Sequence, residues 1–90
     1  MRYMVIERFK EGKARDIYRR FAGNGRMTPS GLRYLDSWIS ADITCCYQLM
    51  ETDDFAHFSP WINKWDDLME FEIVPIISSD EARAKALAPS

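Results

Sequence analysis

Three polar side chains lie within apolar segments that alternate like β-strands: Glu7, Asp36 and Gln48. A carboxylate in the middle of a strand is disfavoured by β-propensity, and burying it without a partner is costly. Two carboxylates and an amide in so short a chain therefore indicate a polar-lined concavity rather than a dry core. With aromatic walls, such a concavity could transfer a proton at a carbon acid or hold a small polar aromatic ligand.

The other residue types that carry chemistry form no recognised motif. Cys45 and Cys46 are adjacent, so on a strand they point to opposite faces and cannot easily bond each other. His57 is the only histidine, and no spaced Cys/His cluster accompanies it, so we expect no metal and no cofactor. The sequence also lacks a glycine-rich phosphate loop and a Ser/His/Asp constellation.

Composition limits the class of protein. Ninety residues suffice for one domain, which we place at residues 1–79, followed by a tail or short helix over residues 80–90. The net charge of −2, with basic and acidic residues mixed, argues against a nucleic-acid-binding surface. No apolar run approaches the roughly 18 residues of a membrane span, and no signal-peptide pattern begins the chain. We therefore expect a cytoplasmic protein.

The apolar content is high for so small a chain. Apolar residues make up 47% and aromatic residues 13% of the sequence. A core of this size cannot enclose them all, and a large exposed apolar patch usually marks a partner. We expect a homodimer, with a small-molecule ligand as a further partner and no nucleic-acid or membrane partner.

Periodicity predicts the element order strand, helix, strand, strand, helix, strand. The helices follow apolar stripes that begin at Ala14 and Phe55, and a Gly-Asn-Gly segment at 23–25 ends the first. Pro75 cannot donate to a sheet ladder, so it places the last strand at an edge. The predicted strands are residues 2–9, 31–39, 44–51 and 70–78.

Two right-handed strand–helix–strand crossovers bring these elements into one antiparallel four-stranded sheet with both helices on one face. The predicted fold is an α+β ferredoxin-like βαββαβ sandwich, with the first and third strands central and the other two at the edges. The second face of the sheet carries no helix. Covering that face with a second copy of the chain is the economical solution.

Alternation along each strand decides which side chains face the helices. We expect the fully apolar sets to face the helices, which sends Glu7 and Gln48 to the open face. In the second strand, a three-residue loop at 41–43 places Asp36 opposite Gln48 on that same face, whereas a four-residue loop places it opposite Tyr47 and reverses the faces. We favour the three-residue loop, because Asp36 against the helix layer would be a buried, unpaired charge.

With this register the open face, or the barrel formed by two such faces, holds a pocket for a small molecule. An alternative is a cofactor-independent enzyme, isomerase or monooxygenase-like, with Glu7 or Asp36 as general base. A third possibility is a structural interaction module in which the carboxylates pair with arginines. The predicted ligand-binding residues are Tyr3, Glu7, Tyr34, Asp36, Trp38, Cys46, Gln48 and Met50.

Four stretches of the chain resemble a bacterial domain-of-unknown-function family of about this length. They are YMVIERF at 3–9, GLRYLDSW at 31–38, CYQLMET at 46–52 and WDDLMEFEIVP at 65–75. That family looks like part of the dimeric α/β-barrel superfamily, in which two ferredoxin-like sheets pack face to face, so the resemblance implies the fold and a homodimer. It implies no particular reaction, because relatives there range from cofactor-free monooxygenases, lactone isomerases and haem-degrading enzymes to small-molecule effector domains.

Overall fold

The computed structural model describes residues 1–89, which form four strands and three α-helices. The strands make one antiparallel sheet in the order β2-β3-β1-β4. This α+β arrangement is compatible with the predicted ferredoxin-like sandwich. The elements are β1 (Arg2–Phe9), α1 (Ala14–Asn24), β2 (Arg33–Ile39), β3 (Cys45–Glu51), α2 (Phe58–Ile62), β4 (Met69–Ile76) and α3 (Ser79–Ala86), with a 3-10 turn at Phe55–His57 before α2.

The predicted central and edge strands are confirmed. β1 pairs with β3 on one side and with β4 on the other, which leaves β2 and β4 at the edges. Pro75 lies in β4, where a residue without an N–H is tolerated. The predicted end of the first helix is also confirmed, because Gly25 has a φ of 68° and its N–H donates to the Phe21 carbonyl at 2.7 Å.

The second helix is shorter than its apolar stripe predicted, and a short third helix follows the last strand. α2 begins only at Phe58 and has five residues, since the acidic start of this segment caps the preceding 3-10 turn: the Asp54 carboxylate accepts the Ala56 N–H at 2.9 Å. α3 forms where the sequence predicted a tail or short helix, and the Ser78 hydroxyl caps it by accepting the Glu81 N–H at 3.1 Å. Ser90 lies outside the described residues, and the domain boundary at residue 79 stays a prediction. Within residues 1–89 no helix is long and apolar enough to cross a membrane.

The core lies between one face of the sheet and the helices, and we call that side of the sheet the covered face. Its fully enclosed side chains are Val5 from β1, Met50 from β3, and Phe58 and Trp61 from α2. The cluster also includes Ile17 of α1. The opposite side of the sheet carries no helix in the core cluster, and we call it the open face.

Glu7 and Gln48 lie on the covered face, which corrects the prediction that they face outward. Gln48 is the cross-strand partner of the fully buried Val5, and Glu7 follows Val5 by two residues on the same strand. The prediction assumed that the apolar set of each strand must face the helices. On β1 that set is Met4 and Ile6, and it faces outward, because the set that contains Glu7 also includes Val5, Tyr3 and Phe9, which pack in the core.

The β2–β3 turn has neither of the predicted registers. The Ser40 N–H donates to the Cys45 carbonyl at 2.8 Å, and this hydrogen bond encloses a loop of four residues, 41–44. Asp36 consequently lies opposite Leu49 rather than Gln48. It still reaches the open face as expected, but without the two polar residues that it was predicted to join.

A β-bulge explains how β2 presents residues of one predicted set to both faces. The register shifts between Tyr34 and Asp36, so that Leu35 is the extra residue. Tyr34 therefore lies opposite Met50 on the covered face, while Trp38 lies opposite Tyr47 on the open face. The bulge therefore places Tyr34 and Trp38 on opposite faces, whereas strict alternation would place them on the same face.

Candidate functional site

A cleft of about 190 Å³ lies between the covered face and α1. Every strand of the sheet contributes to it, together with the first two helices and the loop after α1. Most of its wall is apolar or aromatic. The lining residues are Glu7, Phe9, Ile17, Tyr18, Phe21, Arg26, Ser37, Ile39, Cys46, Trp61, Trp65 and Met69.

Glu7 is the acidic group of the cleft wall, and only 6% of its surface is exposed. Burial raises the pKa of this carboxyl to about 7, because removing it from water penalises the charged form. Hydrogen bonds from the Cys46 thiol and the Gln48 amide, and the positive charge of Arg26, lower the pKa without offsetting the burial. Near neutral pH this carboxyl therefore exists in both protonation states.

Gln48 connects this carboxyl to a cation. Its Nε2 donates to Glu7 Oε2 at 2.7 Å, and its Oε1 accepts from Arg26 Nε at 2.8 Å. The two partners fix the orientation of the amide, since only the oxygen can accept from a guanidinium and only the nitrogen can donate to a carboxylate. The acid and the cation thus share one buried amide instead of forming a direct ion pair.

Arg26 is half-buried and stacked on aromatic rings. Its guanidinium carbon lies 3.6 Å from the ring centroid of Tyr34 and 5.1 Å from that of Phe21. Both distances fall within the range of cation–π attraction. The stacking holds the plane of the guanidinium at the cleft wall.

The main chain around Arg26 is held as firmly as its side chain. The Arg26 carbonyl accepts the indole N–H groups of Trp61 and Trp65, each at 3.0 Å. These tryptophans are four residues apart, which places both on one side of a helical turn. Arg26 lies between two residues with positive φ, Gly25 at 68° and Met27 at 63°. A non-glycine residue in that region is strained, and such strain persists only where the surroundings impose it.

Cys46 contributes a hydrogen-bond donor rather than a nucleophile. Burial, together with the nearby Glu7 carboxyl, raises the pKa of its thiol to about 12. The thiolate, which is the reactive form, is therefore scarce at neutral pH. Within residues 1–89, no group of three or more His, Cys, Asp or Glu side chains is arranged to hold a metal ion.

Six of the eight predicted ligand-binding residues lie on the covered face. Glu7 and Cys46 line the cleft directly. Gln48 and Tyr34 lie behind it and hold Arg26 in place. The remaining pair, Tyr3 and Met50, belong to the core, where Tyr3 packs edge-on against Phe58 at 5.2 Å between ring centroids.

The other two predicted residues, Asp36 and Trp38, are separated from the cleft by the sheet. Asp36 is exposed, and its Oδ1 accepts the Ser37 N–H at 2.8 Å. Trp38 is 53% exposed beside Tyr47. The structure therefore divides the predicted pocket into a buried cluster and an open-face surface.

Sequence reasoning missed the residues that complete the cleft. The apolar stripe of α1 was used only to predict a helix, whereas Tyr18 and Phe21 are 44% and 41% exposed at the cleft. Arg26 had no signal of its own, because a basic residue in a glycine-flanked loop is ordinarily solvated. Only the unmatched carboxyl of Glu7 hinted that a cation was needed nearby.

Comparison with known proteins gives one finding. A family model described as a domain of unknown function, DUF3303, matches residues 1–89. Neither the curated proteins nor the solved structures contain a match to the chain. The wider superfamily suggested by the resemblance stays a prediction. Because the family model spans the sheet, the helices and the whole cleft, the chain belongs to the DUF3303 family, a domain of unknown function.

Proposed function

We propose that this protein binds a small, mainly apolar molecule in the cleft between the covered face and α1. The observation that carries the proposal is a cleft with largely apolar walls and a buried carboxyl, Glu7, among them. An apolar concavity with a few convergent polar groups and a perturbed pKa is the usual form of a small-molecule site. A cytoplasmic location stays a prediction.

The size of the cleft supports a ligand with about one ring. Its volume is about 190 Å³, and a cavity of roughly 150 Å³ suffices for benzene. The exposed rings of Tyr18 and Phe21 offer apolar surface that a ligand would remove from water. The cleft thus supplies both the volume for a ligand and the exposed apolar surface whose burial favours binding.

Benzamide, a neutral single-ring probe, tests the proposal through the backbone amide shifts of the protein. We expect saturable shifts around Ile17, Ser37 and Cys46. Ile39→Phe should weaken binding by narrowing the cleft. Ile77→Phe is the control, because Ile77 is about as exposed as Ile39 but does not line the cleft. The absence of shifts at millimolar benzamide, or shifts confined to the open face, would contradict the proposal.

A second candidate function is cofactor-independent proton transfer with Glu7 as general base. The specific observation is its pKa of about 7, since a general base works best when its pKa lies near the operating pH. Of the two predicted bases, only Glu7 borders the cleft; Asp36 lies on the other face of the sheet. In such a step the Glu7 carboxylate takes a C–H proton, and the electron pair of that bond delocalises onto a carbonyl of the substrate.

Isomerisation of unsaturated lactones, which carry a C–H acid conjugated to the carbonyl, tests the enzymatic candidate between pH 5 and pH 9. Activity should rise with pH as Glu7 ionises, with a midpoint near 7. Glu7→Gln should abolish turnover while the amide spectrum stays folded, and Asp36→Asn should leave turnover unchanged. If Glu7→Gln retains full activity, Glu7 is not the base.

We also propose that a second copy of the chain covers the open face. Support comes from exposed apolar side chains there: Trp38 and Tyr47 are 53% and 40% exposed and lie opposite each other. Arginine–glutamate pairs flank them, Arg8 with Glu72 on one side and Arg33 with Glu51 on another. An apolar centre with a charged rim is the usual anatomy of an interface.

Sedimentation at micromolar concentration tests this dimer. We expect a dimer for the wild type and a monomer for Trp38→Ser. Phe55→Ser is the matched control, because Phe55 is an exposed aromatic that packs with Tyr3 and Phe58 on the covered side. A wild-type monomer would contradict the dimer, and a dimer that binds no probe would favour the structural module.

A further inference from the structure

Arg26 is the only cationic residue that lines the cleft, and within residues 1–89 its guanidinium forms no direct ion pair with a carboxylate. Its single side-chain hydrogen bond there runs from Nε to Gln48, so the two terminal nitrogens keep their N–H donors. Arg15 and Arg19 also lack ion pairs but are exposed on α1, whereas Arg26 is half-buried. Five other arginines pair with carboxylates: Arg2, Arg8, Arg20, Arg33 and Arg83.

The geometry of Arg26 is fixed before any ligand arrives. Tyr34 and Phe21 stack on the guanidinium, Gln48 holds Nε, and two indoles hold the carbonyl. Stacking leaves the edges of a guanidinium free to donate in its plane. A group ordered in this way loses little side-chain entropy on binding, which favours affinity.

We infer that the ligand of this cleft is a small monocarboxylate with an apolar, single-ring body, whose charged end binds the terminal nitrogens of Arg26. The inference rests on the proposed function and names its ligand class. A carboxylate matches the paired donors of a guanidinium edge, and charge-assisted bonds of this kind are roughly twice as strong as neutral ones. The apolar body then packs against Tyr18, Phe21 and the tryptophans.

The second charged group of the cleft restricts the ligand to one negative charge. Glu7 faces Cys46 and Gln48 on β3, Phe71 on β4, the Arg26 loop and, from α1, Tyr18. A carboxylate here repels a second anionic group when it is ionised. The Cys46 thiol and the Tyr18 hydroxyl stay neutral between pH 5.5 and pH 8.5, because burial raises the pKa of the thiol to about 12 and also raises the pKa of Tyr18.

Anion binding should therefore weaken as Glu7 ionises with a pKa of about 7. We expect the affinity for a monocarboxylate to fall on the order of tenfold between pH 6 and pH 8.5, from the repulsion of two charges a few ångströms apart in a partly buried site. The affinity for a neutral analogue should stay constant. Glu7→Gln should remove this pH dependence.

Benzoate and benzamide are the matched probes, since they share a ring and differ in charge. At pH 6 we expect wild type to bind benzoate on the order of tenfold more tightly than benzamide, measured by amide shift titrations. Arg26→Gln should abolish the preference, and Arg19→Gln should keep it. Arg26→Gln retains the carbonyl that both indoles bond, and an unchanged amide spectrum away from the cleft would verify its fold.

The outcomes separate the two proposals. Equal affinity for benzoate and benzamide in wild type overturns the anion inference and leaves the proposed function intact. A benzoate preference that survives in Arg26→Gln overturns the role of Arg26. If neither probe binds wild type, the proposed function fails and the inference fails with it. Should Arg26→Gln not fold, the pH dependence decides: a benzoate affinity that is the same at pH 6 and pH 8.5 overturns the inference.

Discussion

The two faces of the sheet place glutamate side chains in opposite environments. Glu7 on β1 is 6% exposed, whereas the side chain of Glu72, on the neighbouring β4, is 51% exposed. Glu7 bonds an amide, and Glu72 bonds the Arg8 guanidinium at 2.9 Å. A carboxylate beside water keeps its charge at little cost, while one beneath a helix must share hydrogen bonds or take up a proton. Changes of charge therefore have large consequences on the covered face alone.

The arginines differ between the faces in the same way. On the open face Arg8 and Arg33 each meet a glutamate in solvent. On the covered side Arg26 meets an amide and two aromatic rings. Exposed ion pairs contribute little to stability but set the orientation of a partner. The open face thus suits assembly, and the covered face suits recognition of a small ligand.

Gln48→Leu should break the covered face most severely. The substitution leaves the Glu7 carboxyl without its amide donor and Arg26 Nε without its acceptor. Each unsatisfied buried group costs about 1–3 kcal/mol, so we expect a loss of about 3–4 kcal/mol in the free energy of unfolding. Urea unfolding at fixed protein concentration measures it. Tyr47→Leu on the open face of the same strand is the control, and a loss below about 1 kcal/mol in Gln48→Leu would show that the amide network is not needed.

Glu7→Gln should have the next largest effect, and its sign depends on pH. The folded pKa of about 7 exceeds the ordinary value of 4.5, so between these pH values the folded state binds more protons than the unfolded state. Wild-type stability consequently falls as pH rises through this window, by at most about 3 kcal/mol. Glutamine stays neutral and avoids the loss. Unfolding free energies at pH 4.5, 6 and 8 should diverge in favour of Glu7→Gln as pH rises, and parallel profiles would refute the raised pKa.

Gly25→Ala tests how the loop holds Arg26, with a smaller expected cost. Gly25 has φ 68° and ψ −162°, a region accessible almost only to glycine, and an added Cβ would meet nothing within 4 Å. The cost should therefore be backbone strain of about 1–3 kcal/mol. Gly23→Ala is the matched control, because its Cβ is equally unhindered and helical alanine is favoured over glycine. Equal unfolding midpoints for the two variants would contradict this account.

The elements and their order were predictable because their signals are local. Period-2 alternation marked the strands, the apolar stripe marked α1, and Pro75 marked β4 as an edge. Each of these signals depends on residues that are near one another in the chain. Strand order then followed from the handedness of the crossovers.

The face that Glu7 takes was not predictable, because both sides of β1 carry apolar residues. What decides the face is the set of polar partners, and these lie far away in sequence: Gln48 is 41 residues from Glu7, and Arg26 is 22 residues from Gln48. The bulge after Tyr34 had no marker either, since no glycine stands there. Long-range pairing of this kind is invisible to alternation within a single strand.

Glu72→Gln completes the comparison with the smallest expected effect. Glu72 and Arg8 are both more than half exposed, so solvent screens their attraction and water replaces the hydrogen bond when it is removed. We expect no measurable change in the urea midpoint, in contrast to Glu7→Gln. The urea midpoints of wild type and Glu72→Gln should also stay equal when the salt concentration is raised. If Glu72→Gln instead destabilises the protein at low protein concentration but not at high protein concentration, the Arg8–Glu72 pair contributes to a dimer interface, and the open face is buried in the assembled protein.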